Sequence, residues 1–258
     1  MKKILFALLC LVLVSTSCKK KSKDPESDPA PSGGTTTTQP TTFNGWCRVY
    51  NEYDYLIGAT GPNPIDMLSF GRAFFTTNAI STTNGTQSFT YTFGGQVIAN
   101  LPKDTLQWFG NIYEKNLAAQ KYTVPVTWKV TGNGSVPSFT ASCSETFPTC
   151  TGLGVFPATV SKSAGLNITF GNFTNADRVV FNIQDNSGNI TNNIEVTLDG
   201  SGNAVFNVPA SQTAIFINTN LGAANLIVYN DEVQTVNGIN VRFSNVSQYY
   251  IHGFNIVN

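Results

Sequence analysis

The stretch EVQTVNGINVRF, from Glu232 to Phe243, carries the strongest local information about the fold. Two alternating segments, residues 232–236 and 239–243, flank the pair Asn237-Gly238. An Asn-Gly pair between alternating segments is typical of a two-residue type I′ hairpin, because both turn positions need a positive φ. The sequence therefore predicts two antiparallel strands that turn at Asn237-Gly238.

The same two-residue period extends through the rest of the chain from Phe43 onward. Short polar segments separate the alternating runs, and little of the sequence has a helical period. This spacing favours antiparallel β-sandwiches over a parallel sheet, which would need helical crossovers. The alternating apolar residues are Phe89, Tyr91 and Phe93; Val124, Val126, Trp128 and Val130; Leu166, Ile168 and Phe170; Val179, Phe181 and Ile183; Ile194, Val196 and Leu198; and Ala204, Phe206 and Val208.

Proline and glycine interrupt the alternation between Ser138 and Phe156, and we place a domain boundary there. The sequence thus predicts an N-terminal β-sandwich domain over residues 43–140 and a C-terminal one over residues 155–258. The second has the length and strand number of an immunoglobulin-like sandwich. The predicted fold class is all-β, with two antiparallel β-sandwich domains.

The N-terminus has a different composition. Lys2 and Lys3 precede an apolar run of about eleven residues, too short to span a bilayer, and small residues lead from it into Cys18. This layout resembles a bacterial lipoprotein signal, which is cut before a cysteine that then carries lipid. Ser15 departs from the commonest pattern, which has Leu or Val at that place. The resemblance implies a signal peptide over residues 1–17, a lipid anchor on Cys18 and a membrane partner.

Residues 18–42 contain no large apolar side chain, so we predict a disordered tether. Its first lysines either face anionic headgroups or are solvated. In lipoproteins of the Bacteroidetes type, which the tail and domain composition resemble, acidic residues directly after the cysteine favour surface display. Here Lys19, Lys20 and Lys21 come first. The expected location is the outer membrane, on the periplasmic side or exposed at the cell surface.

Charge and motifs argue against several classes of protein. From Phe43 onward there are nine Lys or Arg and twelve Asp or Glu, so we predict no nucleic-acid partner. The sequence contains no nucleophile elbow, no His-Glu-x-x-His motif and no phosphate-binding glycine motif, and we predict no catalytic residue, metal or cofactor. We interpret His252, the single histidine, as an ordinary strand residue.

Carboxylates leave one catalytic alternative open. Glycoside hydrolysis needs only two carboxylates placed by the fold, and the closest to pairs are Glu52 with Asp54 and Asp231 with Glu232. Each of these pairs is more simply interpreted as solvated residues at the end of a strand.

Two acidic loops resemble calcium-binding loops. They span residues 185–189 and 199–203, but neither has the later bidentate Glu, and both lie where a hairpin must turn. The sequence therefore favours turn formation over calcium binding.

Three cysteines remain after the signal and the lipid site: Cys47, Cys143 and Cys150. A bridge between Cys143 and Cys150 would close a small ring and contribute roughly 2 to 3 kcal/mol. This pairing is favoured and leaves Cys47 as a buried thiol. Pairing of Cys47 with either of the others is the alternative.

All three Trp and 17 of the 30 aromatic residues lie between Phe43 and Phe139. Trp46, Tyr53, Tyr55 and Trp108 are candidates for a glycan-stacking surface, with core packing as the alternative. The sequence favours a lipid-anchored envelope protein with a non-catalytic interaction or structural role, and a protein or glycan as partner. A carbohydrate-binding lipoprotein and a glycoside hydrolase are the alternatives.

One short motif points to a modification. Asp104-Thr105-Leu106 resembles the acceptor for O-glycosylation in exported proteins of Bacteroidetes, which implies a modified Thr105.

Overall fold

The computed structural model describes residues 42–81, 90–99, 104–117 and 122–258. The predicted signal peptide, Cys18 and the predicted tether up to residue 41 lie outside the described residues. Within them the chain is nearly all β, which confirms the all-β, sandwich-type prediction. No described helix is long and apolar enough to cross a membrane.

Seventeen strands and two short helical turns make up the described chain. The helical turns are a 3-10 turn at Leu153–Val155 and the helix α1 at Ala210–Thr213. The strands are β1 Thr42–Leu56, β2 Asn63–Ser81, β3 Tyr91–Thr92, β4 Val97–Ala99, β5 Asp104–Trp108, β6 Tyr113–Leu117, β7 Val126–Val130, β8 Phe139–Cys143, β9 Thr149–Cys150, β10 Thr159–Ser161, β11 Leu166–Phe170, β12 Phe173–Thr174, β13 Arg178–Gln184, β14 Ile194–Thr197, β15 Ala204–Val208, β16 Thr219–Val236 and β17 Ile239–Val257.

Thirteen of the described strands form one mixed sheet. Its order is β14-β13-β16-β17-β1-β2-β6-β5-β4-β7-β8, with β10 beside β17 and β3 beside β2. Most neighbours are antiparallel, but β1 runs parallel to β17, with its Gly45 paired to Val241 and its Leu56 to His252. The first described strand therefore lies beside the last strand of the chain.

The long hairpin of β16 and β17 confirms the turn predicted from the sequence. Asn237 has φ 46° and Gly238 has φ 88°, as a type I′ turn requires. The two strands have 18 and 19 residues, so each is roughly 60 Å long. This length allows β17 to contribute side chains to both of the hydrophobic clusters described below.

Replacing Gly238 with Ala should lower the free energy of unfolding by about 1 to 2 kcal/mol, because a left-handed backbone strains a residue with a Cβ. Lack of space is not the cause, since a Cβ there meets nothing within 4 Å. Urea denaturation measures the change. Gly61→Ala is the matched control, because Gly61 is equally open but lacks the positive φ. Equal losses at both positions would contradict the explanation.

Two hydrophobic clusters pack against the same face of the long strands. The first cluster contains Trp128 and Phe75, together with Val241 and Phe243 from β17. The second cluster lies between the long strands and the β11–β15 pair, and it includes Ile251 from β17 and Tyr55 from β1. Strands β1 and β17 therefore supply side chains to both clusters.

The predicted boundary between residues 140 and 155 does not divide the sheet. Instead this segment crosses between the two clusters, where Asn230 Nδ2 donates to the carbonyl of Thr146 at 2.8 Å and Asn245 donates to the carbonyl of Glu145. The two clusters on this face match the cores that two sandwiches would require, but they share strands. The described residues accordingly belong to a single compact unit. A third, smaller cluster of Tyr50, Val180, Tyr229 and Val246 lies on the opposite face.

The favoured disulfide between Cys143 and Cys150 is not formed, and all three described cysteines are free thiols. The reason lies in the packing, since Cys143 belongs to the first cluster and Cys150 to the second. Burial raises the pKa of both thiols to about 12 and also raises the pKa of Cys47. The cysteines are therefore protonated core residues at neutral pH.

Candidate ligand-binding face

All four arginines of the sequence lie on the face of the sheet opposite the two hydrophobic clusters. Side chains alternate along a strand, and the neighbours of these arginines, among them Cys47, Ala73, Val179 and Val241, are buried in the clusters. We call this surface the arginine face. It is formed by Trp46, Arg48 and Tyr50 on β1, Phe70, Arg72 and Phe74 on β2, Arg178 on β13, Glu195 on β14, Tyr229 and Asp231 on β16, and Arg242 and Ser244 on β17.

Strands β1 and β2 each carry an aromatic–arginine–aromatic triplet on this face. The register places Arg48 directly opposite Arg72 and aligns the flanking rings, so that Trp46 faces Phe74 and Tyr50 faces Phe70. The Tyr50 and Phe70 rings stack with centroids 4.2 Å apart. Like charges directly opposite each other destabilise a sheet. The pairing of two arginines therefore calls for an explanation other than stability.

Three guanidinium groups gather around the single ring of Trp46. Their central carbons lie 3.0 Å (Arg48), 4.9 Å (Arg178) and 5.3 Å (Arg242) from the ring centroid. Attraction between a cation and an aromatic ring stabilises each contact. Trp46 therefore fixes the positions of the arginines and is itself partly covered by them.

Asp231 is the main anionic partner of these arginines. Its carboxylate accepts a hydrogen bond from Arg178 Nε at 2.6 Å and one from Ser244 Oγ at 2.5 Å. Arg242 Nη1 lies farther away, at 3.8 Å. Ser244 Oγ in turn accepts from Trp46 Nε1, which connects the ring to the carboxylate.

Glu195 supplies the second carboxylate, 3.0 Å from Arg178 Nη1, and Arg72 is paired separately with Glu114. Arg48 forms no ion pair with any described residue. Two carboxylates thus lie within ion-pair distance of the three guanidinium groups, and Asp177, which accepts from the backbone nitrogen of Asp231 at 2.7 Å, also interacts with Arg178.

Several donors of this cluster have no partner among the described residues. Arg48 Nε, Arg178 Nη2 and Arg242 Nε are buried without a hydrogen bond, and the side chain of Arg178 is only 9% exposed. A buried donor without a partner costs about 1 to 3 kcal/mol. Burial lowers the pKa of Arg242, and so do the positive charges of Arg178 and Arg48. The cluster has spare donors that an anion would satisfy.

A second polar group lies farther along β13 and β16, separated from the arginine cluster by the apolar residues Val180 and Ile227. Asn225 Nδ2 donates to Asn182 Oδ1 at 2.8 Å, and Asn182 Nδ2 donates to Asn193 Oδ1 at 2.8 Å. Asn225 Oδ1 is buried and accepts no hydrogen bond from a described residue. We call these three residues the amide row.

The Glu52 and Asp54 pair singled out from the sequence lies on the same sheet face. Tyr250 Oη donates to Glu52 Oε1 at 2.6 Å, and His252 Nε2 lies 2.9 Å from Asp54 Oδ1. Burial raises the pKa of Glu52, against the hydrogen bond from Tyr250 and the charge of nearby Arg72, which lower it. By contrast, the neighbouring Asp231 and Glu232 point to opposite faces and do not form a pair.

His252 is more than an ordinary strand residue, because it pairs with Asp54. The uninterrupted alternation places it on the same side as Phe254, but Gly253 has φ 88° and forms a bulge that shifts the alternation. Phe254 is consequently buried in the second cluster, while His252 shares a face with Tyr250.

The four predicted glycan-stacking residues do not come together. Trp46 lies on the arginine face, whereas Tyr53 and Tyr55 point to the opposite face and pack in or against the second cluster. Trp108 packs against Tyr113, with ring centroids 4.7 Å apart. The predicted acceptor Thr105 is exposed on β5.

The two loops that resemble calcium loops form tight turns. Asp185 Oδ1 accepts from the backbone nitrogens of Ser187 (2.8 Å) and Asn189 (3.0 Å), and Asp185 Oδ2 accepts from the nitrogen of Ile217 at 2.9 Å. The loop at Asp199 repeats the first two hydrogen bonds. The carboxylates are engaged by the turns themselves, as the sequence predicted.

Replacing Asp185 with Asn should destabilise the protein at neutral pH. The difference in melting temperature between the variant and wild type should become smaller at acidic pH. Burial acts to raise the pKa of Asp185, but hydrogen bonds from Asn189, Ile217 and Ser187 lower it overall. A pKa below the unfolded value means that the ionised carboxylate stabilises the fold above that value and loses this effect as pH falls through the folded pKa. Melting temperatures of both proteins, measured from about pH 7 to about pH 2, test this expectation, because this pH range spans the ordinary Asp pKa. A difference that stays constant over this range would contradict the explanation.

No protein family model matches this chain, and no curated protein matches it. The residues of the arginine face therefore carry the functional argument. Of these residues, Trp46 is a binding candidate from the sequence alone. The arginines are not, although Trp46-x-Arg48-x-Tyr50 and Phe70-x-Arg72-x-Phe74 have the period of a strand face.

Proposed function

We propose that this chain is a non-catalytic binding protein of the cell envelope, exported and anchored in the outer membrane by lipid on Cys18. Its binding surface is the arginine face. One observation carries the proposal: all four arginines of the chain lie on one sheet face, although the sequence from Phe43 onward has more acidic than basic residues.

Binding accounts for this arrangement better than stability does. Taking arginines out of water carries a desolvation penalty that buried ion pairs often fail to offset. Here Arg48 faces Arg72, and three buried guanidinium nitrogens have no partner in the described part of the chain. Such groups are retained at a cost in stability when they contact a ligand.

The test uses the chain from Lys19 to Asn258 against immobilised envelope polysaccharides and surface proteins. Arg48→Ala should weaken capture, because it removes a guanidinium group from the proposed binding surface. Arg48 has no described ion-pair partner, so the substitution leaves no described carboxylate unpaired. Lys129→Ala is the control, because this exposed lysine lies on β7, five strands away from β1 in the sheet order. Equal capture by both variants and wild type would overturn the proposal.

The lipid anchor is tested separately. Cells that express the full chain should incorporate labelled fatty acid into it, and Cys18→Ala should abolish the label and release the protein from the membrane fraction. Retention of the label in Cys18→Ala would contradict the anchor.

A glycoside hydrolase is the second candidate, favoured by the placement of Glu52 and Asp54 on one face. Residues two apart on a strand are roughly 7 Å from each other, within the range of paired catalytic carboxylates. Release of reducing ends from polysaccharides, lost in Glu52→Gln, would establish this activity and displace the non-catalytic proposal.

A further inference from the structure

We propose that the ligand of the arginine face is an acidic oligosaccharide, with one sugar carboxylate bound among Arg48, Arg178 and Arg242. The inference rests on the proposed binding function and names its ligand class.

The guanidinium cluster has the chemistry of an oxyanion site. Arg48 Nε, Arg178 Nη2 and Arg242 Nε have no described partner, and all three groups surround the Trp46 ring. Hydrogen bonds between guanidinium and a carboxylate are short and strong, and the planar fork matches the two oxygens. A ligand carboxylate would supply acceptors for the three guanidinium nitrogens that have no described partner.

The charge pattern argues against a densely charged ligand. Three guanidinium groups have two carboxylates within ion-pair distance, Asp231 and Glu195, and Asp177 also interacts with Arg178. Beyond the cluster, acidic residues outnumber basic ones from Phe43 onward, so a densely charged polyanion would be repelled. A carboxylate on an otherwise neutral ligand fits this charge pattern.

The amide row indicates that the rest of the ligand carries hydroxyl groups. Asn225 Oδ1 is a buried acceptor without a described partner, and it needs a donor that an anion cannot provide. A sugar hydroxyl can donate and accept, as an amide can. Arg178 and Asn182 are four residues apart on β13, roughly 13 Å, which is longer than one sugar ring. The spacing therefore favours an oligosaccharide.

Titration calorimetry on the chain from Lys19 to Asn258 tests the inference with three probes: short neutral galactan oligomers that carry a single galacturonate, the same oligomers with that carboxyl methyl-esterified, and galactan oligomers that carry a single sulfate. The free acid should bind, and the ester should bind about ten- to a hundredfold more weakly because the charged hydrogen bonds are lost. Arg48→Ala should weaken binding of the acid by a similar factor and leave the weak binding of the ester unchanged. Arg48→Lys keeps the charge but lacks the planar N–H donors of the guanidinium group, so it should restore only part of the affinity.

Arg72→Ala is the matched control, because Arg72 lies opposite Arg48 but is exposed and already paired with Glu114. It should change the affinity for the acid by less than Arg48→Ala does. Preference for the sulfated oligomer over the carboxylate would overturn the carboxylate assignment.

The failure of this inference can be told apart from failure of the proposed function. If acid and ester bind equally and Arg48→Ala weakens both, the binding face stands and the acidic ligand is wrong. If no oligosaccharide binds while a protein is captured through Arg48, the ligand class is also wrong. If Arg48→Ala and Lys129→Ala are captured like wild type, the binding function fails as well.

Discussion

Replacing Arg178 with Ala should lower the free energy of unfolding by about 3 to 5 kcal/mol, the range for breaking a buried ion pair. The side chains of Arg178 and Asp231 are 9% and 6% exposed, and Arg178 Nε lies 2.6 Å from the Asp231 carboxylate. The Ala variant removes the shortest ion pair of Asp231, and the hydrogen bond from Ser244 and the more distant Arg242 Nη1 remain. Urea denaturation followed by circular dichroism measures the loss.

The double variant Arg178→Ala/Asp231→Ala is the control, because it removes both charges together. It should be less destabilised than the sum of the two single variants, which is the signature of a coupled pair. Simple additivity would show that Arg178 and Asp231 are independent. In that case the ion pair would not stabilise the arginine face.

Replacing Phe243 with Ala should also cost about 3 to 5 kcal/mol, the usual loss for a large buried ring. Phe243 is fully buried in the first cluster, yet it belongs to the C-terminal strand. Because β17 also supplies Ile251 to the second cluster, both clusters should be destabilised together. Trp128 fluorescence reports on the first cluster, and hydrogen exchange of β13 amides reports on the second.

Val205→Ala provides the comparison, since Val205 is 52% exposed on β15 and should have a small effect. Two separate transitions in Phe243→Ala, with β13 protection unchanged, would contradict shared cores. Such a result would restore the two independent domains expected from the sequence.

The parts of the fold that depend on neighbouring residues could be predicted from the sequence. Asn237 and Gly238 have the positive φ values of a type I′ turn, and the alternating runs at 166–170, 179–183 and 204–208 are strands. The pairing of β1 with β17 could not be predicted in this way, because strands at opposite ends of the sequence share no turn. The shared cores and the separation of Cys143 from Cys150 follow from that pairing.

In the candidate site, too, the sequence could predict features set by nearby residues but not those set by long-range strand pairing. The sequence indicated Trp46, and it indicated Glu52 and Asp54 as a pair, because these residues lie close together along one strand. Arg178 and Arg242 reach Trp46 only through strand pairing across the sheet, so no local pattern places them there. The Gly253 bulge likewise moves Phe254 to the face opposite His252, which uninterrupted alternation does not predict.

The indole N–H signal of Trp46 offers the most direct test of the arginine face as the binding surface. Trp46 Nε1 donates to Ser244 Oγ at 2.5 Å, and three arginines surround its ring, so a ligand bound there must change this resonance. In a nitrogen-15 spectrum titrated with a neutral oligosaccharide that carries a single galacturonate, the Trp46 indole signal, assigned by its loss in Trp46→Phe, should shift while those of Trp108 and Trp128 stay in place. A titration that shifts the Trp108 signal and leaves Trp46 unchanged would place the ligand elsewhere and contradict the account.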